Sequence, residues 1–468
     1  MKLALIGGAG VRTPSMIDSL VRRHHEIPIR ELVIHDIDPH KIDTIGAIVK
    51  HLVRQHGSPF RVETTTDFAK AVEGADFIYT AIRVGGEESR AIDERVALRH
   101  GVLGQETTGP GGFSMALRTI PVMLEYARII ERESPNAWVV NFTNPAGLIT
   151  EALSKHTRLN LIGICDAPSA LKLDIAKFLN EPADDIHLHY FGLNHLGWVN
   201  RVTVRGNDRL PYIIDHYDRF ARSCPHMACF SPELIRQLRM LPNEYLYYYY
   251  YREQAVNHIL SSPHTRGEQI AEWNRNLLVQ LKEKLQEGDI EAAIALYADT
   301  MQKRQNSYMS AETGKAGNAG SMQHKPLDTS QASLENEGYA GLALSIMSAI
   351  CNNKKTCLIL NVPNRGTIAD LRDDDVVEVP CMLDANGPVP LAAGALPDSV
   401  KGLIQSVKQY ERYTVSAAVN GSYEDAVWAL TVHPLVASYS LAQKIVDDYV
   451  QRHQPYLSKF GKKGVSHV

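Results

Sequence analysis

The chain begins MKLALIGGAGVRTP. A short apolar run, LALIG (3–7), stops at glycines and opens into a helical pattern, PSMIDSLVRR. Strand, glycine turn and helix in that order begin a βαβ unit, because parallel strands need a crossover and the commonest crossover is a helix. The alternation continues through ELVIHD (31–36, strand), KIDTIGAIVKHLVRQ (helix), and the strands RVETTT (61–66) and ADFIYTAI (75–82). It then runs through SMALRTIPVMLEYARIIERES (a long amphipathic helix), AWVVNFT (137–143, strand), AGLITEALSKH (helix) and NLIGIC (160–165, strand). Several of these strands read as nearly unbroken apolar runs, which is the mark of strands covered on both faces. The spacing predicts a Rossmann-type, mostly parallel sheet of the lactate/malate dehydrogenase kind over residues 1–197.

Past residue 200 the rhythm changes. NEYLYYYYYREQAVNHIL, GEQIAEWNRNLLVQLKEKLQEG and EDAVWALTVHPLVASYSLAQKIVDDYVQRH read as helices, with KTCLILNVPN and VVEVPCML as strands between them. Residues 198–468 are expected to form a mainly helical α+β domain that completes the active site. Residues 305–332 are polar and Gly/Ser-rich, a candidate functional loop.

Composition narrows the function. Net charge is −4 and no long Lys/Arg block occurs, so nucleic acid is not an expected partner. No run of eighteen apolar residues is present, and the apolar N-terminal stretch is too short for a signal peptide. Six scattered cysteines in 468 residues fit a reducing, cytoplasmic setting. CPHMAC (224–229) resembles half a metal knuckle but lacks a second Cys/His pair nearby.

The glycine turn, IGGAGVRTP, suits a pyrophosphate: glycines allow close backbone approach and the helix N-terminus favours negative charge. Gly8-x-Gly10 is followed by Thr13 where the third glycine of the dinucleotide fingerprint would fall. Asp36 ends the second strand, placed to hold a ribose hydroxyl, and would repel a 2′-phosphate. Gly8, Gly10, Thr13 and Asp36 are therefore the candidate NAD-binding residues. The competing reading of Asp36 is a helix cap.

Ligands of such sheets bind beyond the carboxyl ends of the strands. There the sequence sets Arg83 and Arg90, then Asn141 and Asn144, then Cys165 and Asp166. FGLNHLGW (191–198) alternates like a half-buried strand, yet carries His195. A thiolate and a neutral imidazole can hold a first-row dication, leaving positions for substrate oxygens. A buried thiol and a hydrogen-bonded core histidine are the plain alternatives. Arg83 and Arg90 could pair with Glu87 or Glu88, Arg266 with Glu268, and Asn144 could shape the turn at Pro145.

GQETTGPGGFSMALRTIP, NFTNPAG, GICDAP, FGLNHLGW, LPNEYLYYY and HTRGE, in this order, resemble glycoside hydrolase family four from residue 4 to about 450. Among its members the chain is most similar to those acting on 6-phospho-β-glucosides. The resemblance implies NAD⁺ and a divalent metal, usually Mn²⁺, in a hydrolysis that departs from the two-carboxylate scheme. It implies oxidation at C3 of the sugar, deprotonation at C2, loss of the C1 group, water addition and re-reduction. It casts Cys165 and His195 as metal ligands, Tyr245 as the C2 base, and Arg90, Asn144 and Arg266 as substrate-binding residues. Asp166 matches the acid of α-acting members, where many β-acting members carry Asn. A phosphorylated disaccharide or glucoside is the expected partner, and a homodimer or homotetramer the expected assembly. The alternatives are an α-glucoside, galactoside or uronide by the same route, a lactate/malate-type dehydrogenase, or a non-catalytic NAD sensor.

Overall fold

The first strand, β1 (Lys2–Ile6), lies inside the sheet between β2 and β4, and its residues Leu3 to Ile6 are all buried. The computed structural model describes residues 1–224, 226–307, 309–314 and 338–460. Helix α1 (Thr13–Arg22) leads to β2 (Glu31–His35), α2 (Pro39–Gln55) to β3 (Arg61–Thr65), and α3 (Phe68–Val72) to β4 (Phe77–Thr80). Helices α4 (Gly86–Arg99) and α5 (Pro110–Glu133) precede β5 (Trp138–Asn141), and α6 (Ala146–His156) precedes β6 (Asn160–Gly163) and α7 (Ala167–Leu179). These six strands pair in parallel in the order β3-β2-β1-β4-β5-β6. That is the doubly wound Rossmann order, whose reversal between β1 and β4 leaves a crevice beyond the strand ends.

FGLNHLGW is not one strand. It closes a hairpin between β7 (Ile186–Leu193) and β8 (Leu196–Val204), in which Leu193 faces Leu196 and only Asn194 and His195 form the turn. The short strands β9 (Asn207–Asp208) and β10 (Leu241–Pro242) flank β8. The C-terminal segment then returns to the first sheet. Strands β11 (Thr356–Pro363), β12 (Val376–Asp384) and β13 (Gly387–Pro390) extend it beyond β6, all antiparallel, giving nine strands. One hydrophobic core runs through both halves of the chain.

Two of the long helical patterns are interrupted. NEYLYYYYYREQAVNHIL forms a 3₁₀ turn (Glu244–Leu246) and a helix over Tyr247–Tyr250, breaks at Tyr251 (φ −130°), and resumes over Arg252–Ser261. The last pattern splits into Tyr423–Val432 and Tyr439–Arg452 around Pro434, which has no N–H to continue the ladder. Of the 305–332 stretch, Gln305 and Asn306 end a helix and Ser310–Thr313 form a short one; residues 315–332 lie outside the described residues.

Candidate active site

A cleft of about 2730 Å³ among the described residues opens at the glycine turn and extends beyond the strand ends. Gly7, which sequence reasoning missed, makes the turn: its φ is +76°, and a Cβ there would meet Ala81 O at 2.5 Å. The doubled glycine of IGGAG was the available signal. A Cβ on Gly8 would strike Leu5 O at 2.8 Å, so this position is also pinned by packing, whereas Gly10 meets only Gly7 O at 3.4 Å. Thr13, buried, begins α1 with its N–H donated to Gly10 O at 3.0 Å. Asp36 does not cap α2, since Asp38 does that by accepting from the His40 and Lys41 N–H groups. Instead Asp36 accepts the Ala9 N–H at 3.2 Å, joining the end of β2 to the glycine turn on the cleft wall.

The hairpin carries the next group. His195 holds a left-handed backbone (φ 61°), uncommon for a residue with a side chain and frequent at functional positions. Its ring lies parallel to that of Tyr245, 3.7 Å between centroids and 2° between planes. Thr107 Oγ1 donates to Gln105 Oε1 at 3.0 Å and lies 3.0 Å from His195 Nδ1. A hydroxyl has one proton to give, so the Thr107 oxygen accepts Nδ1–H and leaves the Nε2 lone pair for a ligand. Burial holds this imidazole down to about 4, so it is neutral at physiological pH.

Cys165 meets the same hairpin. Its thiol is hydrogen-bonded by the Asn194 side chain; burial first, then Glu378 and Asp166, push its pKa well up. Asn194 Nδ2 in turn donates to Glu378 Oε1 at 3.0 Å, and Tyr190 and Asn361 complete that carboxylate's partners. Glu378 comes from β12, so the returned C-terminal strand braces the hairpin. A charge inside VVEVPCML was the sequence signal for it. Among the described residues no three His, Cys, Asp or Glu side chains cluster to hold a metal. A thiol and a neutral imidazole make a two-ligand donor set, which fits a dication that completes its shell with substrate oxygens. Both are buried and neither lines the cleft, His195 facing a small separate cavity, while their neighbours Asp166 and Tyr245 line the cleft.

Arginines gather at the other side of the cleft. Arg90 pairs with Glu94 at 2.9 Å and Glu106 at 2.6 Å, not with Glu87 or Glu88; Arg83 pairs with Glu87 at 3.5 Å and Glu106 at 3.1 Å. Burial favours the neutral acid at Glu106, yet Arg90, Arg83 and Arg12 hold it down to about 2. Arg266 begins the helix Arg266–Gln286 and donates to Ser307 Oγ at 2.8 Å and Arg304 O at 2.9 Å. Glu268 is not its partner, because it closes the capping box with Thr265 and pairs with Arg95. Burial first, then Arg12, with Arg266 and Arg90 adding to it and Glu87 opposing, push Arg304 down to about 9. Arg304 sits inside a helical pattern, where nothing in the sequence singled it out. Asn144 lines the cleft as well.

A Rossmann sheet whose glycine turn, acidic strand end and polar strand-end loops share one cleft defines the class: a ligand-binding, doubly wound α/β protein. The chain belongs to family 4 of the glycosyl hydrolases. The model described as family 4 glycosyl hydrolase matches residues 2–181, and that for the family's C-terminal domain matches residues 190–436. A probable 6-phospho-β-glucosidase of Bacillus subtilis (strain 168) is 35% identical, covering 99% of this chain and 98% of its own. The 6-phospho-β-glucosidase of Thermotoga maritima, solved with manganese, NAD⁺ and glucose-6-phosphate, superposes with a TM-score of 0.80 at 27% identity, covering 97% of this chain and 99% of that one. A 6-phospho-α-glucosidase from gut microorganisms, solved with NAD and glucose-6-phosphate, gives a TM-score of 0.82 at 26% identity over 97% and 98%. Among the described residues no helix is long and apolar enough to cross a membrane.

Proposed function

We propose that this chain hydrolyses 6-phospho-β-glucosides with NAD and a divalent metal, Mn²⁺ for choice. The route is oxidation at C3, deprotonation at C2, elimination of the C1 group, water addition and re-reduction. When bound, NAD⁺ supplies the hydride acceptor and the metal a Lewis acid. The observation that carries the reading is the parallel stack of Tyr245 on His195, with Cys165 held by the adjoining Asn194. Base and ligand are thereby one rigid unit, reached from the cleft that starts at the glycine turn.

The chain's residues divide the work. Gly7, Gly8, Gly10 and Thr13 shape the pyrophosphate cradle and Asp36 takes the ribose. Cys165 and His195 hold the metal through Sγ and Nε2. Tyr245 removes the C2 proton, its phenolate favoured by the nearby dication. Arg90, Asn144 and Arg266 bind the phosphorylated sugar, and Arg12 and Arg304, which also line the cleft, suit a phosphate dianion. Asp166, on the cleft wall, is the observation that favours a second reading, an α-linked 6-phosphoglucoside. A cytoplasmic homodimer or homotetramer completes the proposal.

The test is turnover of α- and β-linked p-nitrophenyl 6-phosphoglucosides, with and without NAD⁺ and Mn²⁺, repeated in deuterated water. Deuterium at C2 of the glucose-6-phosphate product is expected, and its absence would refute the route. Cys165→Ser is expected to lose bound Mn²⁺ and activity while keeping the wild-type circular dichroism spectrum.

A further inference from the structure

CPHMAC (224–229) brings a second histidine to the cleft. Its thiols are engaged: Cys224 Sγ donates to Asp174 Oδ2 on α7 at 3.0 Å, and Cys229 Sγ to His226 O at 3.2 Å. Tyr217 fixes the same segment through a 2.6 Å bond to Met227 O. The segment is a clamp rather than half a metal knuckle. What it presents is His226, whose Nδ1 lies 2.5 Å from Glu244 Oε2, and Glu244 immediately precedes Tyr245. His226, Glu244, Tyr245 and Asp166 all line the cleft, and the Asp166 charge acts on His226.

The groups facing His226 are acidic. Glu244 is the main cause that pushes it up to about 9; burial opposes, and Asp174 and Asp166 reinforce. At neutral pH it is an imidazolium. The other histidine lining the cleft among the described residues, His35, packs edge-on against Phe68 and Tyr126, and burial lowers its pKa, which favours the neutral ring.

We propose that His226, oriented by Glu244, donates the proton to the departing C1 oxygen of the substrate. This rests on the glycosidase reading above. As the C1–O1 bond breaks, its electron pair stays on O1, and the imidazolium proton passes to that oxygen, giving the aglycone alcohol and a neutral imidazole. When water adds, its oxygen bonds to C1 and its proton returns to the imidazole. Glu244 keeps the ring aimed throughout and favours its charged form before the transfer, and acts as a positioning residue. Asp166 is the rival donor, and leaving-group chemistry separates the two.

His226→Asn and Asp166→Asn are each assayed in the holoenzyme, with NAD⁺ and Mn²⁺, on two substrates. The p-nitrophenyl 6-phospho-β-glucoside releases a phenolate that needs no proton; the methyl 6-phospho-β-glucoside releases an alkoxide that does. His226→Asn is expected to cut kcat on the methyl substrate on the order of 100-fold and leave the nitrophenyl rate within about threefold. Glu244→Gln, which removes the anion but not the hydrogen bond, is expected to move the alkaline limb of the methyl-substrate profile to lower pH. Equal losses on both substrates, or a selective loss in Asp166→Asn alone, would overturn the assignment. A wild-type enzyme that cleaves neither compound nor their α-linked counterparts defeats the glycosidase reading itself, and the donor with it.

Discussion

At the scale of single residues, the candidate site depends on neighbours that fix proton positions. Thr107 sets which nitrogen of His195 is available, so its hydroxyl acts on the metal without touching it. Partners of this kind are commonly worth ten- to a hundredfold in metal affinity. Thr107→Val is expected to weaken Mn²⁺ binding about tenfold, read by isothermal titration, with the melting temperature little changed; unaltered affinity would remove Thr107 from this role. His433 offers a pH test. It is fully buried, its Nδ1 accepts the Leu435 N–H at 3.1 Å, and burial holds it down to about 3. Folded, it stays neutral; unfolded, it protonates below about 6.5. Between those values the unfolded chain binds the extra proton, so stability falls as pH drops through the window. At pH 5 the loss is about 2 kcal/mol. His433→Phe is expected to shrink the difference between the urea unfolding energies at pH 7 and pH 5 by that amount, and an unchanged difference would contradict it. Cys165, His195 and Tyr245 were nameable from motifs, because chemistry restricts residue type there. Thr107 and Glu106 stood unremarked inside the quoted GQETTGP, and Arg304 gave no signal, since one arginine on a helix looks like any other.

At the scale of elements, the parallel strands were legible because burial on both faces leaves an apolar run that no helix period explains. The hairpin was not. IHLHYFGL and LGWVNRVTV are each plausible strands, but two-residue turns usually announce themselves with Asn-Gly or Asp-Gly, and here the second place is His195. In the proposed site the turn gives its preferred residue up for a metal ligand. That trade can be measured. His195→Gly is expected to abolish metal binding and to lose the buried, stacked ring, but with no backbone penalty, since glycine adopts φ 61° freely. His195→Val is expected to lose metal binding and about 1–3 kcal/mol, because a β-branched residue is strained at positive φ. Comparable urea midpoints for the two variants would show that the turn carries no strain. The tyrosine run illustrates the opposite failure. Its periodicity suggests one helix, yet the chain breaks at Tyr251 and sets Tyr245 in a 3₁₀ turn against His195, a tertiary contact that local pattern does not encode.

At the scale of the whole molecule, the return of β11–β13 to the first sheet could not be read from sequence. β11 meets β6 through a single bridged pair, Asn361 with Gly163, and no local pattern names that partner. What secures the return lies behind the sheet. Lys408, on the helix Asp398–Asn420, is fully buried; its Nζ lies 2.6 Å from Glu151 Oε2 on α6, 2.8 Å from Val376 O on β12, and pairs with Glu411. One ammonium thus ties a helix of the Rossmann unit, a returned strand and the C-terminal helical layer. Cutting such a tie on one side is costly, since among the described residues Glu151 is left with only Lys155 as an ion-pair partner. Lys408→Met is expected to lower unfolding free energy by about 3–5 kcal/mol, and adding Glu151→Leu to recover part of it, because the stranded charge goes with it. Purely additive losses would show that the two residues do not act as a pair. Since β12 also carries Glu378, which braces Asn194 beside His195, the single variant is expected to weaken Mn²⁺ binding too, at a distance from any ligand. If Mn²⁺ affinity holds while stability falls, the returned strand supports the fold without positioning the site.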